Sequence, residues 1–169
     1  MPALDPPPFR IYLLRHAKAL KADPGSRDFD RSLDPEGYAE AEVVADKAAE
    51  RRYVPDLIIS STATRCRQTA EAFRRATRET LDILFVDDLY NGTSDIYLEI
   101  LFAQRSSRSI MLIGHNPVIE QTLNLLVGQS QAAAGLPSGY PTAGLAVLDH
   151  QDASSDSPSG WTLVDFLMA

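Results

Sequence analysis

The sequence predicts an α/β fold: three α/β/α layers with a mostly parallel central sheet and a C-terminal antiparallel strand. Short apolar runs alternate four times with longer helical stretches, which is how parallel strands joined by crossover helices read. Two of the runs, residues 9–14 and 109–114, are nearly continuous in apolar residues, as strands covered on both faces are. Near the C-terminus two further apolar segments, 143–148 and 161–167, flank a polar serine- and aspartate-rich connection over 149–160, which suits a hairpin.

The elements follow in order. With 169 residues, 44% of them hydrophobic and 23% charged, the chain is long enough for one buried core and short for two domains. Residues 9–169 therefore read as a single domain. Residues 1–8 are a proline-rich leader without the basic start and apolar stretch of a signal peptide, and no run approaches the roughly 18 to 20 apolar residues that cross a bilayer. The expected location is the cytoplasm.

The strand over 9–14 opens onto Arg15 and His16. Residues 18–34 are polar, contain Pro24 and Gly25, and read as a loop that can line a site at that strand end. Asp34 as N-cap and Pro35 at the first helical position start a helix over 35–51, with Tyr38, Ala41, Val44, Ala45 and Ala48 on one face. A strand over 57–61 leads into a helix over 64–77. A third strand spans 82–86. A helix over 94–104 follows, with Ser94 as its cap and Ile96, Leu98, Ile100, Leu101 and Phe102 in the core. The fourth strand ends at Gly114, and the next helix, 117–127, turns Val118, Ile119, Leu123, Leu126 and Val127 inward. Residues 129–142 read as a loop, and His150 as a solvated residue of the last connection.

Three strand ends thus deliver Arg15 with His16, Arg65, and His115. The carboxyl edge of an open α/β sheet is where ligands bind. In a chain of net charge −7, such a cluster is a positive well for an anion, whereas general nucleic-acid binding needs a basic face. The alternative is that neighbouring carboxylates pair with these cations. Lys18, Arg27 and Arg31 either add to the well or belong to a solvated face. The single cysteine, Cys66, permits no intrachain disulfide, fits a reducing cytosol, and is a rival nucleophile that points away from Arg65 on the helix. Two strand-end histidines without a carboxylate or cysteine set make a poor zinc or iron site.

Leu14-Arg15-His16-Ala17, the block Ser61-Thr-Ala-Thr-Arg65-Cys-Arg-Gln-Thr69-Ala70, and Gly114-His115-Asn116-Pro117 resemble, in this order, the three signature blocks of the histidine phosphatase superfamily. The stretch Asp30-Arg31-Ser-Leu33-Asp-Pro-Glu-Gly37 also resembles the small members, the SixA-type phosphohistidine phosphatases. The resemblance implies a phosphoglycerate-mutase-like fold and a catalytic, phosphate-binding set of His16, Arg15, Arg65 and His115. Ser61, Asn91, Asn116 and Lys18 are accessory candidates, and no cofactor or metal is implied.

The residue chemistry agrees with that implication. Guanidinium forks grip a phosphoryl group bidentately. A neutral imidazole attacks phosphorus once its other nitrogen is fixed as N–H, and a cationic imidazole steadies the equatorial oxygens. The residues alone do not tell His16 from His115; the resemblance assigns attack to His16 and the cationic role to His115. Larger superfamily members carry a general-acid glutamate after the third strand, where this sequence has Asn91. An amide delivers no proton, and an alkoxide whose alcohol has a pKa near that of water, about 15.7, leaves poorly without one. An imidazole, with a conjugate acid of pKa about 6.5, leaves readily. Asp95, Glu99 and Glu120 remain alternative acids. Only residues 87–108 separate the third and fourth strands, room for one helix and no lid.

The favoured reading is dephosphorylation of phosphohistidine on a phosphorelay or phosphotransfer protein. A small-molecule phosphomonoesterase and a non-catalytic phosphate-dependent binding module are the alternatives. The expected partner is a phosphohistidine-containing protein or a small phosphorylated substrate, with no nucleic acid and no membrane; the oligomeric state is left open.

Overall fold

In the computed structural model, residues 10–77, 80–151 and 159–169 are described. The leader over 1–8 and the middle of the 149–160 connection lie outside them. Six strands, β1 (Arg10–Arg15), β2 (Leu57–Ser61), β3 (Asp82–Val86), β4 (Ser109–Gly114), β5 (Leu145–His150) and β6 (Trp161–Leu167), form one sheet in the order β3-β2-β4-β1-β5-β6. The ladders among β1 to β4 are parallel; β5 pairs antiparallel with both β1 and β6. The helices are α1 (Pro35–Glu50), α2 (Thr64–Thr77), α3 (Asp88–Asn91), α4 (Ser94–Phe102), α5 (Val118–Val127) and α6 (Gln129–Gly135).

The apolar run of β1 is explained by cover on both faces. Ile11 and Leu13 pack with Leu98, Leu101, Ile119 and Leu123 of α4 and α5, whereas Tyr12 and Leu14 pack with Val44, Ala45, Ala70 and Phe73 of α1 and α2. Each fully buried aliphatic side chain contributes roughly 1.5–3 kcal/mol, so alternation would be penalised in this strand. Among the described residues, no helix is long and apolar enough to cross a membrane.

Helix α1 starts as its sequence requires, with the Asp34 carboxylate accepting from the Gly37 N–H at 2.7 Å and Pro35 in the first turn. Its inner face is the expected Ala41, Val44, Ala45 and Ala48, with one exception. Tyr38 is exposed and Gly37 is buried instead, because a Cβ at Gly37 would stand 1.9 Å from the Lys18 carbonyl oxygen. The helix is pressed against backbone there.

Other expectations are also corrected. Residues 129–142 are not all loop: Gly128, at φ +88°, turns the chain, and the alanine-rich stretch after it forms α6 with Ala132 buried. Strand β5 begins two residues later than read, since Ala143 at φ +56° and Gly144 still belong to the turn. It extends to His150, whose half-buried ring packs 5.0 Å from Trp161 rather than in solvent. Two helices, α3 and α4, fill the space between β3 and β4, and Tyr97 joins Leu98, Leu101 and Phe102 in the core while Ile96 and Ile100 are only partly buried.

Candidate active site

Sheet register builds the site. Strands β1 and β4 are neighbours with Arg15 opposite Gly114, so the residues that follow, His16 and His115, leave the sheet side by side. The His16 N–H donates to the Gly114 carbonyl at 3.1 Å, and the two rings lie 5.3 Å apart at 58°. Strand β2 flanks β4 with Ser60 opposite Ile113 and feeds α2, whose first turn carries the buried Arg65. The Arg65 Nε donates to His16 Nε2 at 3.3 Å, and its Nη2 donates to His115 Nδ1 at 3.3 Å.

These contacts place the ring protons. His16 Nδ1 is 2.8 Å from the Ala17 carbonyl, which only accepts, so Nδ1 carries the proton and Nε2 the lone pair. A guanidinium only donates, so His115 Nδ1 accepts from Arg65 while its Nε2–H donates to Ser61 Oγ at 2.9 Å. Burial pushes His16 down to about 4, with Arg65 and Arg15 lowering it further against the pull of the Ala17 carbonyl. It pushes His115 down to about 3, helped by His16 and Arg65. In the ligand-free site burial among cations therefore keeps His115 neutral at pH 7, and the cationic role expected of it belongs to a site that holds a phosphoryl group.

Arg15 stands at the same edge. Its Nη1 donates to the Tyr140 carbonyl at 2.6 Å, and its buried Nε has no hydrogen-bond partner among the described residues. Thr69 locks the arrangement, accepting from the Ala17 N–H at 3.0 Å while its hydroxyl donates to the Arg65 carbonyl at 2.7 Å. The segment after His16 is thus tied to the turn that bears Arg65.

Residues 11–91 match the histidine phosphatase superfamily (branch 1). The chain is 54% identical to a protein of Agrobacterium tumefaciens assigned as phosphohistidine phosphatase SixA, covering 95% of this chain and 97% of that one at a TM-score of 0.87. This chain belongs to the histidine phosphatase superfamily. The superfamily fold also superposes on the protein histidine phosphatase SixA solved with tungstate, at 18% identity, TM-score 0.75, and 94% and 96% coverage. An uncharacterized chloroplastic protein of Arabidopsis thaliana is 31% identical over 72% of this chain, which spans 60% of that protein's length. The mixed six-stranded sheet is the phosphoglycerate-mutase-like arrangement that the sequence implied.

The accessory candidates of this superfamily member divide. Ser61 is buried and holds His115. Asn116 faces α5, its Oδ1 accepting from the Glu120 N–H at 3.3 Å. Lys18 is exposed and paired with Glu36 and, at 3.7 Å, with Asp34, so for this cation the carboxylate alternative applies. Arg27 is likewise paired with Asp30, at 2.8 Å. Asn91 is exposed at the end of α3, and its neighbour Tyr90 is the side chain of that helix whose ring reaches His115, at 5.5 Å. Asp95 and Glu99 are exposed on α4; Glu120 is partly buried and acts on Arg15 through its charge. Cys66 is buried, 3.6 Å from His115 Nε2, and burial pushes its thiol up to about 12.

Sequence reasoning missed Asp28 and Tyr90. The 18–34 segment folds back on itself through the Leu20 N–H to Ser32 carbonyl bond and the Asp34 N–H to Lys18 carbonyl bond. That fold carries Asp28 onto Arg65: Nη1 donates to the Asp28 carbonyl at 2.9 Å and Nη2 to its carboxylate at 3.1 Å. The Tyr90 hydroxyl donates to the same carboxylate at 2.6 Å, and Arg31 Nη1 donates to its other oxygen at 2.9 Å. These partners hold the Asp28 carboxyl well below the usual carboxylate range. Tyr90 follows the end of β3, so a fourth strand end was the available signal; nothing local marked Asp28.

Proposed function

We propose that this superfamily member is a phosphatase acting through a phosphohistidine enzyme intermediate, with phosphohistidine of a phosphorelay or phosphotransfer protein as its substrate. The observation that carries the reading is the state of His16: neutral, its Nδ1 proton given to the Ala17 carbonyl, its Nε2 lone pair aimed at the guanidinium of Arg65. That is an imidazole prepared to attack phosphorus.

A phosphoryl dianion entering between His16 and His115 takes over the Nε and Nη2 protons of Arg65. It also satisfies the orphaned Nε of Arg15, a buried donor whose neglect costs about 1–3 kcal/mol. The incoming negative charge raises the His115 pKa. His115 then takes up a proton from solvent at Nδ1 and donates that N–H in a hydrogen bond to a phosphoryl oxygen, while its Nε2–H still donates to Ser61. The attack breaks the bond from phosphorus to the leaving group and makes the His16 Nε2–phosphorus bond; in the second half-reaction water attacks phosphorus, the electron pair of the Nε2–phosphorus bond returns to His16, and inorganic phosphate leaves carrying the protons of the water. Asn91 and the exposed Asp95 and Glu99 supply no buried acid, which favours a leaving imidazole over a leaving alkoxide.

The test is an alkaline denaturing quench, which leaves a phosphorylated imidazole intact, of the enzyme mixed with labelled histidine-phosphorylated proteins, sugar phosphates and an aryl phosphate. Label should pass fastest from phosphohistidine to the enzyme and be absent in His16→Ala. Faster turnover of sugar phosphates would favour a small-molecule phosphomonoesterase, and binding without any labelled enzyme would leave only a binding module.

A further inference from the structure

The phosphate clamp has a carboxylate beside it. Asp28 Oδ2 is 3.1 Å from Arg65 Nη2, the same nitrogen that reaches His115, so it stands one guanidinium away from the two imidazoles. A site selected only to hold a dianion would not keep a second anion there, since like charges disfavour each other at this range. Nor is Asp28 a replacement for the missing general acid: the Tyr90 hydroxyl, Arg31 and Arg65 keep it ionised. It has capacity left. Its side chain is 51% exposed, and Oδ1 accepts from Arg31 at 2.9 Å with a second lone pair available.

Aromatic rings flank it. The Tyr90 ring lies 5.1 Å from Phe29 and 5.5 Å from His115, edge-on to each, and both Phe29 and Tyr90 are only partly buried. The frame already takes flat cations of the protein itself, Arg65 over the Tyr90 ring at 5.9 Å and Arg27 over the Phe29 ring at 5.6 Å, so its chemistry suits a flat cation rather than a phosphate.

We infer that Asp28, framed by Phe29 and Tyr90, is a specificity-determining residue that accepts the ring N–H of the phosphorylated imidazole of the substrate. The inference rests on the phosphohistidine reading above. In the protonated substrate, one ring nitrogen bonds phosphorus and the other bears a proton. His16 Nε2 forms a bond to phosphorus as the P–N bond breaks; the electron pair of that bond returns to the ring, and the imidazole departs neutral, keeping its own proton. No enzyme acid is consumed. An anion beside the ring N–H raises the pKa of the bound ring, so the labile, protonated form persists at neutral pH.

The experiment compares wild type with Asp28→Asn on phosphoimidazole and on para-nitrophenyl phosphate, whose leaving group needs no proton. Asp28→Asn should lose about tenfold to a hundredfold more kcat/KM on phosphoimidazole than on the aryl ester, as for a hydrogen bond to a charged group. The descending limb of the kcat–pH profile for phosphoimidazole should also move to lower pH, because it reports ring protonation in the complex. Equal losses on both substrates with the limb unmoved would overturn the inference and leave Asp28 as a support for Arg65. Failure of the wild type to cleave phosphoimidazole while it cleaves the ester would instead overturn the phosphohistidine reading itself.

Discussion

Arg65 Nε and His16 Nε2 lie 3.3 Å apart, and the adjacent Nη2 of the same guanidinium lies 3.3 Å from His115 Nδ1. One planar edge therefore addresses both imidazoles, while the other edge is held by the carbonyl and carboxylate of Asp28. Lysine offers a single point of charge in place of this fork. Arg65→Lys should lower kcat/KM by about 100-fold or more, as loss of an oriented donor does, and should weaken inhibition by tungstate or vanadate. Unchanged inhibition would remove Arg65 from the clamp.

The two histidines make folding sensitive to acid. Their folded pKa values, about 4 for His16 and about 3 for His115, lie below the ordinary 6.5. Between these limits the unfolded chain binds more protons, so stability is whole above pH 6.5 and is lost as pH falls toward 4 and then 3. The loss is on the order of 3 kcal/mol for His16 alone. Urea midpoints measured from pH 7 to pH 4 should fall for the wild type and fall less steeply for His16→Asn and His115→Asn. Parallel curves would contradict the buried, neutral assignment.

Tyr97 anchors the end of β4 from beneath. Its hydroxyl donates to the Leu89 carbonyl at 2.9 Å and accepts from the His115 N–H at 3.1 Å, joining the candidate site to the backbone just before Tyr90. Tyr97→Phe orphans both groups and should cost about 1–3 kcal/mol, read as a lower urea midpoint, together with slower phospho-enzyme formation. Gly114→Ala should act similarly, because its Cβ would meet the Tyr97 hydroxyl at 2.6 Å.

Cys66 offers a control. Buried and protonated, it should resist alkylation until denaturant is added, and Cys66→Ala should still form the acid-labile, base-stable species expected of a phosphorylated imidazole. Loss of the intermediate in Cys66→Ala with His16 intact would transfer the nucleophile to sulfur.

Turnover should survive excess chelator, since Arg15 and Arg65 supply the positive charge that a divalent ion would otherwise provide. Complete loss, restored by adding back one cation, would contradict the scheme.

Much of this was legible in the residues. The register that sets His16 beside His115 follows from two apolar runs, each ending in a histidine, once the strands are neighbours. The α6 region misled because Gly128, Gly135 and Pro137 read as breakers, while the three alanines between them carry the local preference. Tyr38 misled because the helix face was counted by apolarity, and a glycine at a close backbone approach has none to count.

The sequence by itself determined the six strands and the four longer helices, though not the short α3 and α6, and that three strand ends carry Arg15, His16, Arg65 and His115, because burial on two faces writes itself into local composition. Only the tertiary structure decided that Asp28 and Tyr90, 62 positions apart, meet over Arg65, that Lys18 is spent on Glu36, and that both histidines are neutral. Protonation and ion pairing depend on distance and desolvation in space, and no periodicity along the chain encodes either.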